Sequence, residues 1–475
     1  MSTDLLQSLA SNVWAIFLVI FFFGGSIFVH ELGHFLAARR RGVFVERFSI
    51  GFGPPIWSRR GKDGTEYRLA WFPLGGYVLL PQLADLGALE GESKADVTKL
   101  PPPSYSTKML VFAAGATFNI IFAFCLACIV WAMGQPESSD MASKRIGYVS
   151  PTLELPDGSK IPSPALRGGL QAGDIIHAID GDEVNDWGDI QTTLVLGAGR
   201  NKASGQREAR FSIERNGVRQ DVVVEPVLAG DEKIRRVGIS PAFELLVQAV
   251  APDTVGAKAG FKAEDEILRL GQETILNDAA FRAHLDNTAA QPVTAVVRRG
   301  GQEVTLTIPP RPELKPGTHL GLTLRTGLRT VHVTPFEQIS SVVRWTIVTF
   351  NRLVNRNSDI GLEKMSGPVG IARILHSAAE VGIRAVFMIT ILLNVNLAIF
   401  NLLPIPVLDG GQMLFATITK LRGRSLPVNV IAATQSAFMV LLLAMVAYVT
   451  IAGDVPRWRR DRAERASIEA QSQKK

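Results

Sequence analysis

The stretch "GSIFVHELGHFLAARRRG", residues 25–42, sets His30, Glu31 and His34 at the inner end of a run that is otherwise apolar from Val13. Ionisable groups are costly there. A charge at the centre of a spanning helix costs about 2.5 to 3.5 kcal/mol on insertion scales, so such residues mark function and require a partner elsewhere in the chain. HExxH on a helix puts two imidazoles at i and i+4 on one face, near enough to share a zinc ion. The Glu beside the first His can then reach a water at the metal. A structural metal site, or an inactive relic of a catalytic one, is the competing reading.

The rest of the chain supports a membrane setting. Its 475 residues are 47% hydrophobic with a mean hydropathy of +0.19, yet 20% are charged, which fits a membrane protein carrying soluble modules. The net charge of +6 and pI near 9.3 do not indicate nucleic acid, because the densest Lys and Arg clusters flank apolar segments, where positive charge sets topology. Cys125 and Cys128 lie inside the apolar run "FAFCLACIVW"; with no further cysteine to complete a zinc site, they read as small hydrophobes.

Four segments are long enough to cross a hydrocarbon layer: 13–34, 109–133, 385–403 and 428–452. The first lacks the basic leader of a cleaved signal and reads as a retained anchor. "RRRG" and "WSRRGK" follow the first span and "TKLRGR" joins the third to the fourth, which makes those loops cytoplasmic. The stretch from about 135 to 384 then lies on the far side, as does the basic tail "RWRRDRAERASIEAQSQKK", against its charge.

Between the second and third spans an internal repeat appears. Arg167–Leu194 aligns on Lys258–Leu285 at an offset of 91 residues, matching Asp174 to Asp265 and Ile176 to Ile267. Each copy continues into a hairpin pattern around a turn dipeptide, Asn216-Gly217 or Gly300-Gly301. The copies, 145–230 and 240–313, resemble PDZ domains, small α+β modules that take an extended peptide as an added strand; rigid spacers without a ligand are the alternative.

Two further segments carry expectations. Residues 335–354 place Phe336, Ile339, Val343, Ile347 and Phe350 at helical intervals, an amphipathic helix for the membrane surface or for the second repeat. "EYRLAWFPLGGYVLLP", residues 66–81, alternates and then becomes apolar around Gly75-Gly76, which suggests a membrane-associated β-hairpin dipping into the bilayer that protein must shield or a cavity must border. An open edge there could pair with a substrate peptide.

Two histidines leave a catalytic zinc site one ligand short. The other five, His177, His284, His319, His332 and His376, fall on the translocated side. In "NVNLAIFNLLPIPVLDGGQMLF", residues 394–415, Pro404 and Pro406 stop a span and leave extended backbone at membrane depth, just before Asp409. Asp409 is the candidate third ligand.

HELGH in the first span together with "NLLPIPVLDGG" late in the chain resembles the site-2 protease family of intramembrane zinc metalloproteases. The resemblance implies Zn²⁺ on His30, His34 and Asp409 with Glu31 as base, Asn396 and Asn401 holding substrate, and Gly75, Gly76 and Tyr77 in a membrane-associated loop that meets it. It also matches "SGPVGIARI", residues 366–374, to a segment before the third span. The second span reads "GATFN", residues 115–119, so Ala116 stands where the family pattern has proline, while Gly115 and Asn119 remain. The implied architecture is a polytopic α-helical membrane protein with four transmembrane helices, a membrane-associated β-hairpin and two tandem PDZ domains. Its parts are a first membrane half (1–134), the repeats, an amphipathic helix and linker (333–384), a second membrane half (385–453) and a tail (454–475). The implied role is regulated intramembrane proteolysis of single-span proteins of anti-sigma-factor type, or of signal-peptide remnants, in the bacterial inner membrane, with the site near the cytoplasmic face and the PDZ copies periplasmic. The partners are transmembrane substrates, the lipid bilayer and PDZ peptide ligands, with no nucleic acid. A non-catalytic PDZ adaptor and a cation transporter are the rival readings.

Overall fold

The computed structural model describes residues 3–83, 100–201, 203–230, 233–313 and 319–472. The chain divides into two compact units, residues 1–135, 332–347 and 362–475 in one, and 136–331 and 348–361 in the other. Among the described residues four helices are long and apolar enough to cross a membrane: Ile16–Arg40, Tyr105–Met133, Ile383–Asn401 and Val428–Ala463. They coincide with the four segments expected from hydropathy and make the chain a polytopic membrane protein.

In the first unit, α1 (Thr3–Arg40) leads into a pair of long strands, β1 (Arg47–Arg60) and β2 (Glu66–Leu79), and then into α2 (Tyr105–Met133). Lipid tails are as apolar as leucine, so these helices associate through close packing of small residues rather than through a hydrophobic driving force. Ala123, Ala127 and Val130 of α2 meet Leu18 and Phe22 of α1 in one cluster; Phe35 and Ala38 of α1 join Phe48, Val78 and Val111 in another.

The expected hairpin is present as β1 and β2. Its turn lies at residues 61–65, where Gly64 has φ +84° and Asp63 Oδ1 accepts from the Thr65 amide at 3.2 Å. Gly75 and Gly76 sit inside β2, because a Cβ at Gly75 would overlap the Phe52 ring and one at Gly76 would lie 2.9 Å from the Ser49 carbonyl oxygen. The glycines answer these close approaches where the arm folds back on itself between 69 and 76. Residues 47–50 register with both 76–79 and 66–69, and 57–60 register with 66–69. Segment 76–79 is therefore paired on one side only among the described residues.

The expected amphipathic helix is present as α3 (Pro335–Val354). Ile339, Val342 and Val343 pack on the cluster of α1 and α2, and Phe336 meets the Phe124 ring at 5.2 Å. The stretch expected as a linker holds α4 (Pro368–Val381), followed by α5 (Ile383–Asn401), α6 (Asp409–Arg422) and α7 (Val428–Val449). The tail is α8 (Val455–Ser472). Asp454 just before it is 2% exposed and accepts from the Gly367 and Gly370 amides, capping the otherwise uncapped start of α4.

In the second unit the two repeats fold alike. The first has sheet order Val218–Val224, Ala209–Arg215, Ile175–Ile179, Asp182–Glu183. The second runs Gln302–Ile308, Val293–Arg299, Glu266–Leu270, Leu245–Val250, Leu322–Thr326, so its sheet reaches past residue 313. Ile239–Pro241 pairs with Ile146–Val149 and extends the first copy past residue 230. Their helices, Trp187–Val195 and Asp278–Asn287, carry side-chain caps at Asp186 and Asn277. The matched aspartates hold matched partners. Arg215 Nε donates to Asp174 at 2.7 Å and its Nη2 to the Gly169 carbonyl at 2.8 Å; Arg299 does the same to Asp265 and Gly260 at 2.7 and 2.8 Å. Asp265 is fully buried. Arg299→Met should strand that carboxylate and destabilise the second copy by about 3 to 5 kcal/mol. Limited proteolysis of the full-length variant checks this: cleavage should appear within 240–313 while the first copy stays resistant.

Candidate metal centre

α1 carries His30 and His34 one turn apart, 9% and 8% exposed, on the face turned toward α2 and α5. Asp409 reaches them from far along the chain. Pro404 and Pro406 cannot continue α5, which ends at Asn401, and the irregular residues that follow deliver Asp409 as the first residue of α6.

The three ligand atoms form a nearly equilateral triangle. His30 Nε2 lies 3.2 Å from His34 Nε2, and Asp409 Oδ2 lies 3.3 and 3.4 Å from the two nitrogens. A tetrahedral zinc with bonds of about 2.0 to 2.1 Å separates its ligand atoms by about 3.3 to 3.4 Å, so one ion fits above this triangle with a fourth position open. Among the described residues no other trio of His, Cys, Asp or Glu gathers in this way. Asp409 Oδ2 is buried without a hydrogen-bond partner, and a cation would satisfy it.

The backs of both rings are held. His34 Nδ1–H donates to the Val111 carbonyl at 2.8 Å, which leaves Nε2 as the lone pair facing the triangle. His30 Nδ1 lies 3.2 Å from the side-chain amide of Asn119, a fully buried residue whose Oδ1 has no partner. With the amide turned so that Oδ1 accepts from Nδ1–H, His30 also presents Nε2 and the orphaned oxygen is satisfied. Ala116 leaves α2 unbroken. Gly115 then presses on both imidazoles so closely that a Cβ there would overlap His34 Nε2 and His30 Cε1.

A cavity of about 210 Å³ opens beside the triangle, lined by Glu31, Phe52, Gly76, Tyr77 and Gln412 among others. The Cβ that Gly76 lacks would lie 3.2 Å from Glu31 Cγ, so the open edge of β2 runs directly past this carboxylate. Arg47 bridges to Glu66 at 3.1 Å and to the Tyr77 hydroxyl at 3.3 Å, which fixes that edge to its sheet. Of the other expected residues, Asn401 Nδ2 stands 3.4 Å from His30 Nε2, whereas Gly75 packs on Phe52. Asn396 faces away, its Oδ1 accepting from Thr346 of α3 at 2.6 Å. Gln412, 4% exposed at the cavity wall, was not foreseen; its place one turn after Asp409 on α6 is the signal that could have found it.

Gly115→Ala should displace the imidazoles and weaken metal binding by about tenfold or more, the scale of support-shell losses. Zinc content of the purified variant after dialysis against a chelator is the check; full retention would contradict the packing described.

A family model described as Peptidase family M50 matches residues 18–445. The regulator of sigma-E protease RseP of Salmonella typhimurium is 30% identical over 438 residues, which cover 87% of this chain and 92% of that protein. RseP of Escherichia coli is 30% identical over 444 residues with the same coverage. A Vibrio cholerae protein whose name marks it as a candidate zinc metalloprotease is 28% identical over 452 residues, 88% of this chain and 93% of its own.

Proposed function

The chain belongs to peptidase family M50, and on that premise we propose that His30, His34 and Asp409 hold its catalytic zinc while Glu31 serves as base. It is an intramembrane zinc metalloprotease. The observation that carries the site assignment is the ligand triangle of 3.2 to 3.4 Å with Glu31 on the wall of the adjoining cavity.

Bound there, zinc supplies Lewis acidity toward the scissile carbonyl and lowers the pKa of a water toward about 7. Glu31 would take a proton from the attacking water as its oxygen adds to the carbonyl carbon, and return it to the amine nitrogen as the C–N bond breaks. Val111 and Asn119 hold both imidazoles in the tautomer this requires.

The proposed substrates are single-span membrane proteins of anti-sigma-factor type, and signal-peptide remnants. Cleavage needs the substrate helix to unwind at the scissile bond, and hydrocarbon offers the freed backbone no hydrogen bonds. The open edge at Gly76–Leu79 answers that need by strand addition beside Glu31. Asn401 would steady the extended segment from its place near His30, and Asn396 would join it only after leaving Thr346. Exposed Trp57, Trp71 and Phe72 on the hairpin suit insertion into lipid.

The basic loops support a multi-pass protein of the bacterial inner membrane, its active site near the cytoplasmic face and the repeats periplasmic. The two repeats act as PDZ domains that bind peptides or exclude bulky ectodomains.

Glu31→Gln should keep stoichiometric zinc and abolish cleavage of a co-expressed, tagged single-span substrate; retained cleavage would remove Glu31 from the mechanism, and equal cleavage with the wild type would favour an adaptor. Deleting residues 145–313 should let substrates with intact ectodomains be cut. Unchanged discrimination in that deletion would end the exclusion role.

A further inference from the structure

Asn394 opens the stretch that ends at Asp409, and neither the ligand triangle nor the cavity uses it. It is 0% exposed in the core of α5, a costly place for a carboxamide. Its Nδ2 donates to Ser26 Oγ on α1 at 2.8 Å and to the Thr390 carbonyl at 2.8 Å. Ser26, 4% exposed, passes its own hydroxyl proton to the Phe22 carbonyl at 2.7 Å. The chain of donors thus runs in one direction from α5 to the backbone of α1. Asn394 Oδ1 is left buried without a partner. An orphaned buried acceptor costs on the order of 1 to 3 kcal/mol, so packing alone would favour an apolar residue here.

The position of this pair gives it a use. Ser26 lies one turn before His30 on the same face of α1, and Asn394 lies seven residues before Asn401 on one stripe of α5. Among the described residues the side-chain polar contacts between α1 and α5 are the Ser26–Asn394 bond and the 3.4 Å approach of Asn401 Nδ2 to His30 Nε2, the nitrogen assigned to the metal. One of them belongs to the site itself. The other is the independent fastening, and it ties the helix that carries two metal ligands to the helix whose end delivers the third.

We propose that Ser26 and Asn394 form a clamp that sets the depth and rotation of α5 against α1 and thereby places Asp409 over the imidazole pair; both are positioning residues for the metal centre. A slip of one residue along a helix moves a side chain about 1.5 Å and turns it about 100°. Metal–ligand distances tolerate only about 0.2 Å. Lipid provides no hydrophobic force to hold such a register, and a buried polar contact does. The inference rests on the reading of His30, His34 and Asp409 as metal ligands.

The test compares full-length Ser26→Ala, Asn394→Val, the double variant and Ser26→Thr, which keeps the hydroxyl. Zinc affinity is measured by chelator competition and site geometry by the visible absorption of the Co²⁺-loaded proteins. Each single loss should weaken zinc binding by about tenfold or more and alter the Co²⁺ spectrum. Ser26→Thr should stay close to wild type, and the double variant should lose no more than the worse single, because the two act as one contact. In the zinc-loaded state kcat should fall with KM unchanged. Wild-type affinity and spectrum in Ser26→Ala would overturn the clamp, as would losses in the double variant equal to the product of the singles. Should Asn394→Val fail to fold, Ser26→Ala decides, since it leaves the Asn394 bond to Thr390 in place. His30→Ala as a further control separates the premises: wild-type zinc affinity there would sink the ligand assignment and the clamp with it, whereas a loss there beside an unchanged Ser26→Ala sinks the clamp alone.

Discussion

Two imidazoles and a carboxylate converge where burial strips away most of their water, beside one small cavity, and this sets the terms for the rest of the membrane unit. His30 and His34 are almost fully buried, and Asp409 Oδ2 has no hydrogen-bond donor of its own. Left separate, such groups would each carry a burial cost of several kcal/mol. Brought within 3.2 to 3.4 Å of one another they share one electrostatic solution, a divalent cation. The helices are therefore committed to one mutual arrangement by their polar residues, and the apolar packing around them has to comply.

That compliance appears at the contact of α1 with α2. Gly115 leaves room for the two rings, while Asn119 one turn on supports the first of them from behind. A larger residue at the first position would move the ligands; an apolar residue at the second would leave His30 Nδ1 without a partner in a medium that offers no water. The contact thus does two things that compete elsewhere, close backbone approach and polar support, by dividing them between residues four apart on one helix face.

Much of this was legible in the sequence because the signals were local. The i, i+4 spacing of His30 and His34 specifies one face of a helix whatever the tertiary context. The two prolines before Asp409 announce the end of a span at the depth where a third ligand is needed. The repeat was legible through its offset, and the matching Arg215 and Arg299 salt bridges show why the aligned aspartates recur. The errors and omissions share a different cause. The need for glycine at 75 and 76 comes from Phe52 and Ser49, residues more than 20 positions away. Asp454 looked like the start of a tail because the amides it caps belong to Gly367 and Gly370. Asn394 and Ser26 stand 368 residues apart, and neither has a sequence neighbour that hints at the other.

The edge at Gly76–Leu79 shows how the same constraint extends to the substrate. A peptide bond inside a helix has its carbonyl engaged with the amide four residues on, so hydrolysis requires that bond to be lost first. In hydrocarbon the loss is prohibitive unless another backbone takes its place. An unpaired strand edge is usually a hazard, because it invites any extended chain to add to it. Here the hazard lies beside Glu31, with the missing side chain of Gly76 allowing the edge to approach the carboxylate. A chain adding there, as proposed, would exchange helical hydrogen bonds for sheet ones without passing through an unsatisfied state, next to Glu31 and the His30, His34 and Asp409 triangle. On the proposed reading, unwinding and presentation of the scissile carbonyl would be a single event, and a membrane segment that cannot leave its helix would be refused before any chemistry begins.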